Sequence, residues 1–212
     1  MTRFKTREIL TTTYNPIQIL GISGSLRRDS YNTALLRAAA ELMPPEMTLE
    51  IFDLSHLPMF NQDSEKPFPD AVVELRTKLA QADALLIATP EYNGSISGAL
   101  KNAIDWASRS PKQPLNGKPT AIIGISTGNF GTLRAQLHLR QILTHVGALT
   151  LGKPEVLVGR AEQVFDAQGH LTDPTTRGFL RDLLATLAEW TLRVSHPQRI
   201  DAEIPGTGNI MK

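Results

Sequence analysis

Short apolar runs alternate with longer amphipathic segments along most of this chain, and that alternation restricts the fold more than any single residue does. Ile17–Ile22, Thr48–Leu54, Ala84–Thr89 ("ALLIAT") and Thr120–Ser126 ("TAIIGIS") read as buried strands. A fifth strand lies within "LTLGKPEVLVG", interrupted by Pro154. Between them, Thr33–Leu42, Asp70–Ala82, Ser97–Ser108 and Thr132–Val146 carry helical periodicity, and Pro174–Val194 reads as a long closing helix. Pro44-Pro45 stops the first helix, and Gly147 stands at the C′ position of the fourth. Strands separated by helices of this length pair in parallel, and a parallel sheet is covered on both faces. The expected fold is therefore a doubly wound α/β domain with a five-stranded parallel sheet, flavodoxin-like, of order 2-1-3-4-5. Residues 16–194 form that domain. Residues 1–15 read as an extension, either flexible or an arm packed on another subunit, and 195–212 as a polar tail.

In such a sheet, ligands bind beyond the carboxyl ends of the strands, beside the point where strand order reverses. The loops after strands one, three and four should therefore share a cleft. The first is "GISGSLRRDSYN", Gly21 to Asn32. It has far more hydrogen-bond donors than a turn needs, and it leads into a helix N-terminus, where free N–H groups and the helix dipole favour an anion. Ser23, Ser25, Ser30 and Asn32 can bond phosphate oxygens, while Arg27 and Arg28 supply charge. A helix cap at Ser30 or Asn32, with both arginines solvated, is the plainer alternative. The loop is neither GxGxxG nor GxxxxGK[ST], which argues against a dinucleotide fold and a P-loop nucleotidase.

The second loop, "TPEYNGSISG" from Thr89 to Gly98, has Pro90 at a strand end and the turn pair Asn93-Gly94. Backbone N–H groups there can approach a planar ligand, with Tyr92 beside its ring. The third, "STGNFGT" from Ser126 to Thr132, repeats the strand–glycine–helix arrangement.

Composition excludes several chemistries. The chain has no cysteine, hence no disulfide, thiolate metal site or cysteine nucleophile, and this fits a cytoplasmic location. Its 22 basic and 21 acidic side chains give a net charge of +1, which predicts no general attraction to nucleic acid or to an anionic membrane. The apolar runs are too short to span a bilayer. "MTRFKTREILTTTYNP" lacks the apolar stretch of a secretory signal. The five histidines show no metal-binding spacing; His138 and His145, seven apart in one helix, read as surface or interface groups. Trp106 in "ALKNAIDWASR" either packs within its own domain or marks an interface helix.

The segments "GISGSLRRDSYN", "TPEYNGSISGALKNAIDW" and "STGNFGT…LR" resemble the flavin-contacting segments of the NADPH-dependent FMN reductase family, which includes bacterial quinone, chromate and azo-dye reductases. The resemblance runs from about Ile17 to Gly159, and its middle motif is the most specific. It implies that Ser25, Arg27, Ser30, Tyr31 and Asn32 hold the FMN phosphate. Pro90, Glu91, Tyr92, Asn93, Gly94 and Ser95 would edge the isoalloxazine, and Ser126, Gly128 and Gly131 would close the third side. Two positions depart from the family pattern: Thr132 follows Gly131 where a second glycine is common, and Ser97 stands where proline often does.

The implied activity is hydride transfer from NADPH or NADH to FMN, followed by electron delivery to a small-molecule acceptor of quinone, azo or metal-oxyanion type, in ping-pong order. The protein would be a homodimer or homotetramer, and no side chain need act as a nucleophile. Two alternatives use the same cofactor: a flavodoxin-like electron carrier, which usually is strongly acidic, and a non-catalytic flavin redox sensor.

Overall fold

The computed structural model describes residues 16–195, and the expected N-terminal arm and nearly all of the polar tail lie outside them. The elements in chain order are β1 (Ile17–Ser23), α1 (Tyr31–Glu41), β2 (Met47–Phe52), α2 (Asp70–Gln81), β3 (Ala84–Ala88) and α3 (Gly98–Ala107). They continue with β4 (Pro119–Ile125), α4 (Leu133–His145), β5 (Leu149–Thr150), β6 (Val156–Val158), α5 (Ala161–Val164) and α6 (Pro174–Ser195). All strand pairs are parallel, in the order β2-β1-β3-β4-β5.

The expected order is thus the observed one, with one refinement at the edge. The fifth lane is filled by two short strands, β5 beside the start of β4 and β6 beside its end. Pro154, which has no N–H to donate to a ladder, lies in the gap between them. The closing helix also runs one residue further than expected, so Ser195 ends α6 rather than beginning the tail.

Alternate residues of the strands supply two cores. On one face Ile19, Leu86 and Ile123 pack against Leu35 and Leu36 of α1 and Leu180, Leu184 and Leu187 of α6. On the other, Leu20, Leu85 and Ile122 meet Leu75 and Leu79 of α2, Leu100 and Ile104 of α3, and Leu139 and Leu143 of α4. Both faces of β3 and β4 are therefore buried, which is why these strands read as unbroken apolar runs.

Trp106 is fully buried inside its own chain, and this removes it from any interface. Its Nε1 donates to Pro58 O at 2.8 Å, and its ring receives Phe60 edge-on. Asn102 adds a bond from Nδ2 to Pro58 O at 2.9 Å and accepts the Phe60 N–H at 2.7 Å. The long segment after β2 is thereby tied to α3. No helix among the described residues is long and apolar enough to cross a membrane.

Candidate functional site

The three unusual loops meet at the carboxyl ends of β1, β3 and β4, and polar contacts fasten each one to the others. Gly24 N donates to Ala88 O at 2.8 Å, and the buried Ser97 hydroxyl donates to Gly24 O, joining the first loop to the second. Gly24 is packed so tightly that a Cβ there would stand 2.8 Å from Pro90. Asn32 joins the first loop to the third: its Nδ2 donates to Ile125 O at 3.0 Å, and its Oδ1 accepts the Ile125 N–H at 3.1 Å. Thr89 N donates to Ile123 O at 3.0 Å, holding the second loop to β4.

In the first loop the hydroxyls lie inside and the charges outside. Ser23, Ser25 and Ser30 are buried, and Ser23 accepts from the Thr33 hydroxyl at 2.8 Å and from Ser25 N at 3.3 Å. Ser30 caps α1 by accepting Thr33 N at 3.4 Å. The N–H groups of Tyr31 and Asn32, at the first two helical positions, precede any carbonyl the helix itself could offer. Arg27 and Arg28 are exposed beside them, and the Arg27 guanidinium lies 5.4 Å from the centre of the half-buried Tyr31 ring. Backbone donors at a helix start, the helix dipole and two exposed guanidinium groups make this loop electrostatically suited to an anion.

The second loop turns on Asn93 and Gly94, with φ of +51° and +75°. Tyr92 and Ser95 exchange both backbone hydrogen bonds across the turn, at 2.9 and 3.0 Å. Two consecutive positive φ values make this a tight hairpin turn for which Asn-Gly is the favoured pair. Tyr92 is half exposed at its tip.

Glu91, expected from the resemblance to edge a flavin ring, has its side chain only 8% exposed and bound to protein. One carboxylate oxygen accepts Arg134 N at 3.0 Å and Ala135 N at 3.2 Å, and the other pairs with the Arg134 guanidinium. The reason lies in α4, whose N-cap Thr132 makes no capping bond of its own. Its hydroxyl is buried and accepts from Gln136 Nε2 at 3.3 Å instead. A carboxylate from the neighbouring loop therefore satisfies the helix's first N–H groups.

In the third loop the Ser126 hydroxyl donates to Gly131 O at 2.6 Å, closing the turn on itself. Gly131 has φ of +60°, and a Cβ there would stand 2.9 Å from Val158 N, so the position requires glycine. Gly128 is exposed, and its carbonyl accepts Arg160 N at 3.0 Å. Phe130, at the tip, is 78% exposed.

All the anticipated positions thus lie in one cluster, in two different situations. Arg27, Tyr92, Asn93 and Gly128 are exposed. The side chains of Asn32, Glu91 and Ser126 hold protein atoms, and Pro90 is buried against Gly24. Two further residues take part to which the sequence reading gave no site role: Arg134, which pairs with Glu91, and His138, read only as a surface or interface group, whose Nδ1 lies 3.0 Å from the Ser95 hydroxyl. Their four-residue spacing on α4 was readable; the loop that faces them was not. Among the described residues no group of three or more histidines and carboxylates is placed to hold a metal.

Residues 17–163 match the profile of a family described as NADPH-dependent FMN reductase. The chain is 52% identical over 179 residues to an NAD(P)H-dependent FMN reductase of Pseudomonas aeruginosa, which covers 84% of this chain and 97% of the relative. It is 41% identical over 175 residues to a 2-hydroxy-1,4-benzoquinone reductase of a Burkholderia species, covering 82% and 96%. Among solved structures, the flavoenzyme NAD(P)H:(acceptor) oxidoreductase FerB of Paracoccus denitrificans superposes with a TM-score of 0.78 at 34% identity, over 83% of this chain and 97% of the other.

Proposed function

The chain belongs to the NADPH-dependent FMN reductase family, and we propose that it binds FMN at the three-loop cluster and uses NADPH or NADH to reduce quinone-type acceptors in a ping-pong cycle. Held there, FMN would supply the redox chemistry between nicotinamide and oxidant. The single observation that carries this reading is the paired arrangement of loops one and two. The first loop, with exposed arginines and the start of α1, is joined through Gly24 to Ala88 and Ser97, which flank the loop that carries the tight turn and its half-exposed tyrosine.

The protein's own part is binding and orientation. Arg27, the Ser25 and Ser30 region and the N–H groups of Tyr31 and Asn32 would hold the phosphate. The backbone of the Tyr92–Ser95 turn would border the isoalloxazine, where N–H donors favour the negative charge that collects on reduction. The third loop, with Gly128 and Gly131, would close the cleft. Asn32, Glu91 and Ser126 enter this reading as residues that set the shape of the cleft. The 2-hydroxy-1,4-benzoquinone reductase among the relatives supports a small quinone as oxidant; azo compounds and metal oxyanions are further candidates for the same site. Exposed Phe130, Leu133 and Leu137 next to the cleft favour a homodimer or homotetramer.

The test is an absorbance spectrum after FMN addition and desalting, followed by anaerobic NADPH and NADH. Retained flavin that bleaches with either nucleotide and is reoxidised by quinone is the expected result. Retained flavin that neither nucleotide reduces would leave a carrier or sensor. Absence of retained flavin at saturating FMN would end the reading.

A further inference from the structure

The Tyr92–Ser95 turn is gripped on both flanks by one helix. Glu91, just before the turn, is held by Arg134 and by the first N–H groups of α4. Ser95, at its end, is held by His138. Arg134 and His138 are four residues apart, so they present neighbouring side chains on a single helix face. A two-residue hairpin turn is weakly stable by itself, and this one has only the two Tyr92–Ser95 backbone bonds to hold it. Contacts to α4 at Glu91 and at Ser95 add two anchors to it.

We propose that His138 is a positioning residue for the flavin edge: it fixes the Ser95 hydroxyl, and with Arg134 completes a two-point clamp on the turn. The proposal rests on the reading that this turn borders the isoalloxazine. A serine hydroxyl has one proton and two lone pairs and rotates freely unless a partner holds it. With Nδ1 of His138 at 3.0 Å, the hydroxyl is restricted to two settings: it donates to a bare Nδ1 or accepts from Nδ1–H, according to the histidine tautomer. His138 is exposed, and its contribution is one hydrogen bond competing with water. The turn's geometry, rather than the stability of the fold, is where its loss is felt.

The experiment measures FMN dissociation constants for the full chain and for His138→Leu, Ser95→Ala, the double variant, His138→Asn and His138→Gln. Asparagine places a hydrogen-bonding atom near the Nδ1 position, whereas glutamine reaches toward Nε2. His138→Leu and Ser95→Ala are each expected to weaken FMN binding about fivefold. The double variant should be no weaker than the worse single variant, since both remove the same contact. His138→Asn should recover most of the affinity and His138→Gln should not, with the thermal midpoint of His138→Leu unchanged. Additive losses, wild-type affinity in His138→Leu, or no recovery in His138→Asn would each overturn the proposal. If the unaltered chain retains no FMN, the functional reading fails first and takes this inference with it, an outcome visible before any variant is made.

Discussion

After β1, the charged side chains Arg27 and Arg28 lie in solvent while Ser23, Ser25 and Ser30 are buried beneath them. After β3 the layout is reversed: the carboxylate of Glu91 is inside, and Tyr92 and Asn93 are outside. Both loops carry the polar residues that a ligand site attracts, yet the first leaves its charges free and the second commits its charge to the fold. A residue that belongs to a recognisable binding motif can therefore act as a grip, touching ligand, or as a brace, holding the loop that does. In this molecule Asn32 and Glu91 are braces, and exposed Arg27 is the grip under the proposed function.

The two roles separate experimentally, because losing a brace lowers stability as well as affinity, whereas losing a grip lowers affinity alone. The largest effect is expected at Asn32. Replacing it with alanine leaves the buried N–H and C=O of Ile125 without partners, at a cost of about 3 kcal/mol in urea unfolding. A loss near zero would mean that water replaces the amide and that Asn32 is no brace. Glu91→Ala follows, at about 2 kcal/mol, since it leaves the Arg134 and Ala135 N–H groups at the start of α4 uncapped. Its FMN affinity should fall in parallel, because the turn loses one of its two anchors. Arg27→Ala should instead leave unfolding within about 0.5 kcal/mol of wild type while weakening FMN at least about tenfold, or about 1.4 kcal/mol. If Arg27→Ala destabilises the fold and spares the affinity, the comparison is wrong at its first loop.

Sequence periodicity was enough for the sheet, because β3 and β4 are buried on both faces and the helices show clear apolar stripes. The same holds for the meeting of the three loops, since parallel β1, β3 and β4 bring the segments that follow them to one end of the sheet. The split fifth lane was visible only as Pro154 in the middle of a run. Most hidden were the braces, whose partners are remote in sequence: Asn32 with Ile125, Glu91 with Arg134, His138 with Ser95. Glutamate in "TPEYNGS" looks the same whether it faces a flavin or a helix end. The uncapped start of α4 was the one local hint, since Thr132 stands where a cap is expected but faces the crowded Gly124, where a Cβ would come within 1.8 Å of its hydroxyl.

The smallest effect comes from a brace outside the site and asks whether capping by itself alters the cleft. Asp173 accepts Thr176 N at 2.7 Å ahead of Pro174, an ordinary local start for α6. The Thr176 side chain, and then its N–H, hold the Asp173 carboxyl below the usual aspartate range. Folding thus favours the ionised form. The stability this adds is fully present above the ordinary aspartate pKa of about 4 and disappears as pH falls through the lower folded value. Asp173→Ala should cost about 1 kcal/mol at neutral pH and less in acid, where the protonated carboxyl keeps only a neutral hydrogen bond to Thr176 N. Its FMN affinity should stay that of wild type, because α6 lies on the sheet face away from α4. Equal affinity would assign the Glu91 effect to the turn it anchors. Weakened affinity would mean that any frayed helix loosens the cleft, and the distinction between brace and grip would then reduce to overall stability.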